Sequence, residues 1–261
     1  MASIFVTGST DGIGAETART LAAAGHRVVL HARNDDRAKA GSAAVERAAG
    51  VAVGDASSLA GTRSLAREAT ALGPFDVVIH NVGIGGAPDR SPTGDGLEQI
   101  FQVNVLAPYL LTALMPRPAR LVYLTSGLES QGRVDLEDLQ YERKPWNGMQ
   151  AYSDSKLYDV MLAFAVARHW PQVRSNTVDP GWIKTRMGGP NAEDDLPEGC
   201  ETQVWLATSG DPEADVTGRY FKRRRVLRAN PAAYDVDLQE RLLATCAELT
   251  GVALGAGDRR A

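Results

Sequence analysis

Four polar residues, Asn104, Ser126, Tyr152 and Lys156, stand in an order suited to acid–base chemistry on a carbonyl or alcohol oxygen. Tyr152 and Lys156 are four positions apart, so on a helix they share one face, one turn from each other. A phenol with a pKa of about 10 is a poor proton donor or acceptor near neutrality. An ammonium close by favours the phenolate and lowers that pKa. The lysine could also hold a nicotinamide ribose. Ser126 could hold the substrate oxygen beside Tyr152, and Asn104 could steady a water linking Lys156 to solvent. Upstream, Thr7-Gly8-Ser9-Thr10-Asp11-Gly12-Ile13-Gly14 has the glycine spacing of a phosphate cradle. Cradle and proton donor together describe hydride transfer between a dinucleotide and a carbonyl carbon. Singly, each has a bland reading: a tight turn, a chance Tyr-x-x-x-Lys, a capping Ser126 with Thr125 as competitor, a buried Asn104. Their joint order is what argues for chemistry.

The elements that must position these residues are legible in the hydrophobic pattern. Short apolar runs at Ile4–Thr7, Arg27–His31, Val51–Gly54, Val77–His80, Arg120–Leu124 and Arg174–Val178 predict strands buried on both faces. Amphipathic stretches at Gly14–Ala24, Asp36–Ala48, Ser58–Leu72, Leu97–Leu114, Gln150–His169 and Cys200–Thr208 predict helices between them. Ser57-Ser58 can start the third helix and Gly25 can end the first. Such alternation predicts an α/β Rossmann fold, a doubly wound parallel sheet with helices on both faces. Its ligands then lie at the carboxyl ends of the strands. No repeat or linker divides the chain, so residues 1–253 are expected to form one dinucleotide-binding catalytic domain. Within it, 128–149 reads as a polar insertion and 182–208 as a substrate lid; 254–261 reads as a flexible tail.

Composition narrows the function classes. A chain of 261 residues can bury a full core. A formal charge of −4 argues against non-specific nucleic-acid binding. The one basic run, Lys222-Arg223-Arg224-Arg225, is expected to be solvated or to meet nearby acids. Cys200 and Cys246 lack metal-ligand spacing and read as free thiols in a reducing cytoplasm. No apolar run approaches the roughly 20 residues that span a bilayer, and no signal peptide or metal site is expected.

The cradle follows the first strand and opens the first helix, the context in which a helix N-terminus meets a pyrophosphate. Gly8 permits the turn, Gly12 close backbone approach, and Gly14 helix–strand packing. The second strand speaks to the nucleotide. It ends Leu30-His31-Ala32-Arg33-Asn34, with no carboxylate before Asp35. An acid near this point would bind ribose hydroxyls. Arg33, 19 residues after Gly14, could instead pair with a 2′-phosphate, which favours NADP over NAD. Asp11 in the cradle argues mildly the other way. Asp55, after the third strand, could accept from the adenine amino group. Asn81 could hydrogen-bond neighbouring loops, and Gly83 could let the backbone run close to the cofactor.

Together, Thr-Gly-x-x-x-Gly-Ile-Gly, Asn81-Val82-Gly83, Asn104, Ser126, Tyr152-Ser153-Asp154-Ser155-Lys156 and Pro180-Gly181 resemble the short-chain dehydrogenase/reductase family over residues from about 3 to 250. The long gap from Ser126 to Tyr152 and the Ala-Tyr-Ser-Asp-Ser-Lys-Leu run are similar to its retinol-dehydrogenase-like branch, which often prefers NADP. The resemblance implies the roles given above to Asn104, Ser126, Tyr152 and Lys156. It also implies that the segment after Pro180-Gly181 meets the nicotinamide carboxamide, with Ile183 and Thr185 matching that role. One departure is His80 where the family has asparagine, which implies a changed loop contact without loss of activity.

The expected substrate is a small carbonyl or alcohol compound, apolar or aromatic. Leu128, Trp146, Met149, Trp182, Met187 and Trp205 are candidates for its walls. Three functions compete: an NADP-dependent reductase of ketones or aldehydes, an NAD(P)-dependent alcohol dehydrogenase working oxidatively, and a nucleotide-sensing binding protein. Retention of both Tyr152 and Lys156 speaks against the sensor. Apolar positions on more than one face of Gln150–His169 allow a homo-oligomer.

Overall fold

The computed structural model describes residues 1–255. Eight strands form one sheet in the order β3-β2-β1-β4-β5-β6-β7-β8. They are β1 Ser3–Val6, β2 Arg27–Ala32, β3 Gly50–Val53, β4 Val77–His80, β5 Arg120–Leu124, β6 Arg174–Val178, β7 Tyr220–Lys222 and β8 Arg225–Leu227. The first seven run parallel, and β8 returns antiparallel on β7. The order reverses between β1 and β4, so the crevice at the carboxyl ends of these two strands is the topological switch point where ligands bind.

Alternate residues of β1 show why helices must cover both faces. Ile4 and Val6 join one apolar cluster and Phe5 another, all fully buried. The first cluster is closed by α1 (Gly12–Ala23) and α7 (Leu196–Thr208), the second by α3 (Leu59–Leu72) and α6 (Gly148–His169). α2 (Asp35–Ala44) packs on β2 and β3. Side-chain oxygens cap several of these helices. Asn34 accepts from the Arg37 amide, Ser58 from Gly61 and Asn147 from Gln150, at 2.9–3.0 Å. Gly25, at φ 86°, follows the end of α1.

Between β4 and β5, α4 (Gln99–Phe101) widens into a π-helical segment, Gln102–Leu106, and continues as α5 (Ala107–Leu114). The long predicted helix is therefore present, with a bulge at Asn104. Three elements were not expected from the pattern: β7, β8 and α8 (Val236–Thr250). α8 buries Leu242, Leu243 and Cys246 against Tyr109, Tyr158 and Met161. It thereby covers the face of α6 that sequence left open for a partner chain.

The polar insertion is fastened to the body. Buried Asp154 of α6 accepts from the Arg133 amide at 2.8 Å and the Tyr141 hydroxyl at 2.6 Å. Trp146 packs edge-on against Tyr141 and donates its indole N–H to Ala87 O at 3.1 Å. The supposed lid divides in two. α7 is a body helix, with Gln203 Nε2 donating to Thr17 Oγ1 of α1 at 3.2 Å and Trp205 buried. Only 182–195 remains outside the layers. The expected tail also shortens, because Gly255 O accepts from Arg117 and from Trp170 Nε1. Residues 256–261 lie outside the described residues.

Candidate active site

Sequence-separated loops meet at the carboxyl end of β1. Thr7 stitches β1 to β4, its hydroxyl accepting from the amides of Asn81 and Val82 at 2.9 and 3.0 Å. Asn81 Nδ2 returns two bonds, to Thr7 O and Gly8 O. His31 fixes the same loop from β2. Its Nδ1 accepts from the Gly8 amide at 2.9 Å, and its Nε2 lies 2.8 Å from Gly54 O. These partners require a neutral ring protonated at Nε2. Burial lowers the His31 pKa and so favours that form.

The loop leaves no room for larger residues. A Cβ on Gly14 would stand 2.3 Å from Gly8 O, so only glycine lets α1 approach β1. Gly12 adopts φ 54°, a left-handed conformation open mainly to glycine. Thr10 packs on Gly41 of α2. The result is a cavity of ≈ 260 Å³, lined by Gly8, Asp11, Gly12, Ile13 and Gly14, by Asn81 to Gly83, by Tyr152 and Lys156, and by Pro180 and Thr185 to Met187. Ile13 and Gly14 line it in the first turn of α1, where amides lack partners within a helix. A dinucleotide fits this set of groups: an amide-rich helix start, a cradle that side chains would fill, and a buried ammonium at the far end.

That ammonium belongs to Lys156, which is buried. Its Nζ donates to Leu124 O at 3.0 Å and to Asp159 Oδ2 at 2.8 Å. The Tyr152 ring centroid is 5.8 Å away, and Tyr152 itself is half-buried on the cavity wall. Burial works against the charged lysine, but Asp159 and Tyr152 outweigh it and its pKa ends above the usual value. Burial pushes the Asp159 carboxyl up to about 6, against the pull of Lys156. The two groups form an ion pair at 2.8 Å. Thr125, the competitor for the serine role, is buried and donates to Lys156 O at 2.7 Å, which ties α6 to β5. Ser126 is the half-exposed residue that follows, its Oγ accepting from the Leu128 amide at 3.3 Å.

Asn104 sits in the π-helical segment, a feature frequent at functional sites. Its side chain is committed to protein: Oδ1 accepts from the Ile84 amide at 2.8 Å, and Nδ2 donates to Ile84 O and Ser155 Oγ. It therefore clamps the loop that carries Gly83, with both Nδ2 donors committed and one lone pair of Oδ1 left over. A Cβ on Gly83 would lie 3.5 Å from Lys156 Nζ.

Other expected residues lie around the rim. Arg33 is exposed and makes no hydrogen bond or ion pair among the described residues. Asp55 is exposed and uses one oxygen to accept from Ser57. Gly181, at φ 99°, donates to Asp179 Oδ1, while the Ile183 side chain is buried against Gly199 and offers the cavity no side-chain contact. Trp205 turns inward and leaves the list of substrate walls; Trp146 and Leu128 are half-buried. Met149, Trp182 and Met187 remain exposed. The basic run meets acids: Lys222 pairs with buried Asp179 at 2.8 Å, Arg223 with Asp194 at 2.7 Å and Arg224 with Glu201 at 2.9 Å.

Three site contributors escaped the sequence reading. Asp159 was visible as an acid three residues after Lys156 on the same helix face. His31 stood in the strand but gave no sign that it would accept from Gly8. Arg37 lies 3.4 Å from Asp11 Oδ2 and offsets the charge that weighed against NADP, a contact only the fold creates.

The model of the short chain dehydrogenase family matches residues 2–196, and the chain belongs to this family. Short-chain dehydrogenase chyC of Penicillium rubens is 41% identical over 98% of this chain and 100% of its own. DnrU of a Streptomyces sp., provisionally named a daunorubicin C-13 ketoreductase, is 33% identical over 95% and 92%. Retinol dehydrogenase 14 of Mus musculus is 30% identical over 92% and 83%, in accord with the branch resemblance. Among solved structures, a blue fluorescent protein from a metagenomic library in complex with NADPH superposes with a TM-score of 0.67. It is 26% identical, covering 85% of this chain and 95% of that one. The protein is an oxidoreductase of this family. No helix among the described residues is long and apolar enough to cross a membrane.

Proposed function

We propose that the protein is an NADPH-dependent reductase of ketones or aldehydes. The observation that carries this is the buried Lys156 ammonium beside Tyr152 on the wall of a glycine-lined cavity. When bound, the nicotinamide supplies hydride to the carbonyl carbon. Ser126 orients the carbonyl oxygen, and Tyr152 gives that oxygen its proton. Lys156 has one N–H left after its two internal bonds, and that donor serves a ribose hydroxyl. Gly8 through Gly14 hold the pyrophosphate, Asp55 the adenine amino group, and the Pro180–Thr185 segment the carboxamide. Asn104 acts through the loop it clamps and through backbone freed by the π bulge. The name of DnrU supports the ketone reading, and the NADPH-bound neighbour supports the nucleotide.

Arg33 is the proposed 2′-phosphate partner, since its guanidinium has no partner among the described residues and Arg37 already answers Asp11. Met149 and Met187 flank the loop at Gly85 and Gly86, and the Trp182 indole donates to Gly188 O next to Met187. These exposed apolar side chains form a rim suited to a flat, apolar or aromatic carbonyl compound. Two buried free thiols accord with a reducing cytoplasm.

Tryptophan-fluorescence titration with NADPH and NADH, followed by turnover on aromatic and aliphatic ketones, tests the reading. NADPH is expected to bind more tightly and to support reduction. In Arg33→Ala, NADPH affinity is expected to fall about tenfold or more, as for a lost charge-assisted pair, with NADH little changed. Equal losses for both nucleotides would remove Arg33 from the phosphate role.

A further inference from the structure

Lys156 has a charged neighbour that none of these roles uses. Asp159 lies on the same face of α6, 3% exposed, and among the described residues Lys156 is its one hydrogen-bond partner. An ammonium has three donors. Two are turned inward, to Asp159 and to Leu124 O, and one remains for the side of the cavity and Tyr152. The pair is thus a clamp that decides both where the lysine charge sits and how much of it Tyr152 feels.

The other polar groups around Asp159 cannot take this part. Tyr123 of β5 feels the Asp159 charge, but burial already drives its phenol well above the usual range. Tyr123 is bonded at 2.7 Å to Thr112 of α5, and Thr112 at 3.1 Å to His80 of β4. Burial holds His80 neutral, with a pKa of about 3. Among the described residues Lys156 is therefore the one cation that answers the carboxylate, and the carboxylate acts on Tyr152 through it.

We propose that Asp159 is a positioning residue that holds the Lys156 ammonium against β5 and offsets part of the charge that Tyr152 faces. An uncompensated ammonium draws a nearby phenol towards phenolate, and a paired one does so less. Reduction consumes the proton of Tyr152, so the clamp biases the site towards the carbonyl-reducing direction. That catalytic consequence rests on the reductase reading above. The electrostatic coupling does not, and it can be measured without turnover.

The test is a carbon-13 NMR titration of protein labelled at tyrosine Cζ, with the Tyr152 signal assigned by its loss in Tyr152→Phe. Asp159→Asn keeps the shape and removes the charge. The Tyr152 midpoint is expected about one pH unit lower than in the wild type, the scale of one nearby charge. Asp159→Glu should restore most of the difference, which a purely structural role would not require. The alkaline limb of kcat for ketone reduction should move to lower pH in the Asn variant, with NADPH affinity little changed. An unmoved Tyr152 midpoint in a folded Asn variant overturns the proposal; Asp159→Ser serves if the Asn variant does not fold. A shifted midpoint in a protein that reduces no ketone upholds the coupling and removes the reductase reading.

Discussion

Two histidines at the carboxyl end of the sheet are held neutral for different ends. His31 must stay unprotonated at Nδ1 to accept from Gly8, so the shape of the phosphate cradle depends on one imidazole. His80 packs at a tilt against Tyr123 with ring centroids 4.6 Å apart and reaches Thr112, absorbing the family departure into the interior. In the unfolded chain His80 binds a proton near pH 6.5, in the folded one only near 3. Between those values the unfolded state holds more protons, so stability is full above 6.5 and falls as the pH drops. His80 alone should cost roughly 2–3 kcal/mol by about pH 4.5. Melting temperatures between pH 7 and 4.5 should show this decline, and His80→Gln should flatten it. At this scale the sequence was legible where chemistry needs a fixed type and spacing, as at Tyr152 and Lys156. It was silent where a contact depends on the fold, as for His31 on Gly8 or Arg37 on Asp11.

Among the elements, α1 is the one whose sequence is most tightly bound to its place. Gly14 sits where any side chain would strike Gly8 O and Asn81 Nδ2, atoms that belong to the β1–β4 stitching. Gly14→Ala should therefore push α1 off β1, and thermal melting should register a loss of about 1–3 kcal/mol, the range for overpacking. NADPH affinity should fall with it. A melting temperature within 1–2 °C of wild type would show that the loop yields more cheaply than its contacts suggest. The central strands were readable because burial on both faces makes them continuously apolar. β7 and β8 were not, since each has three residues and β8 contains Arg225 and is exposed along its length. They are defined by their turn, where Arg223 and Arg224 adopt φ 48° and 59°. α8 carried ordinary signals, an Asp235 cap and a left-handed Gly251 at its end, that the sequence reading passed over.

For the whole molecule, α8 bears on which surfaces are left for a second copy. Every residue of α6 from Ser153 to Ala167 is buried within one protomer, which leaves that helix no free face for a second copy. Sedimentation equilibrium is expected to find a monomer. A dimer would have to use another surface, such as exposed Val226, Leu227, Tyr234 and Val236. Leu242→Ala, at a fully buried position of α8, should cost about 2–5 kcal/mol and loosen the helix that bears Tyr152 and Lys156. The same closure orders events in synthesis. The β1–β4 half, with the cradle, leaves the ribosome early, whereas Tyr109, Arg117 and Trp170 wait for Val252 and Gly255. The nucleotide half can thus take shape before the proton-transfer helix is locked, because that locking waits for the segment around Val252 and Gly255.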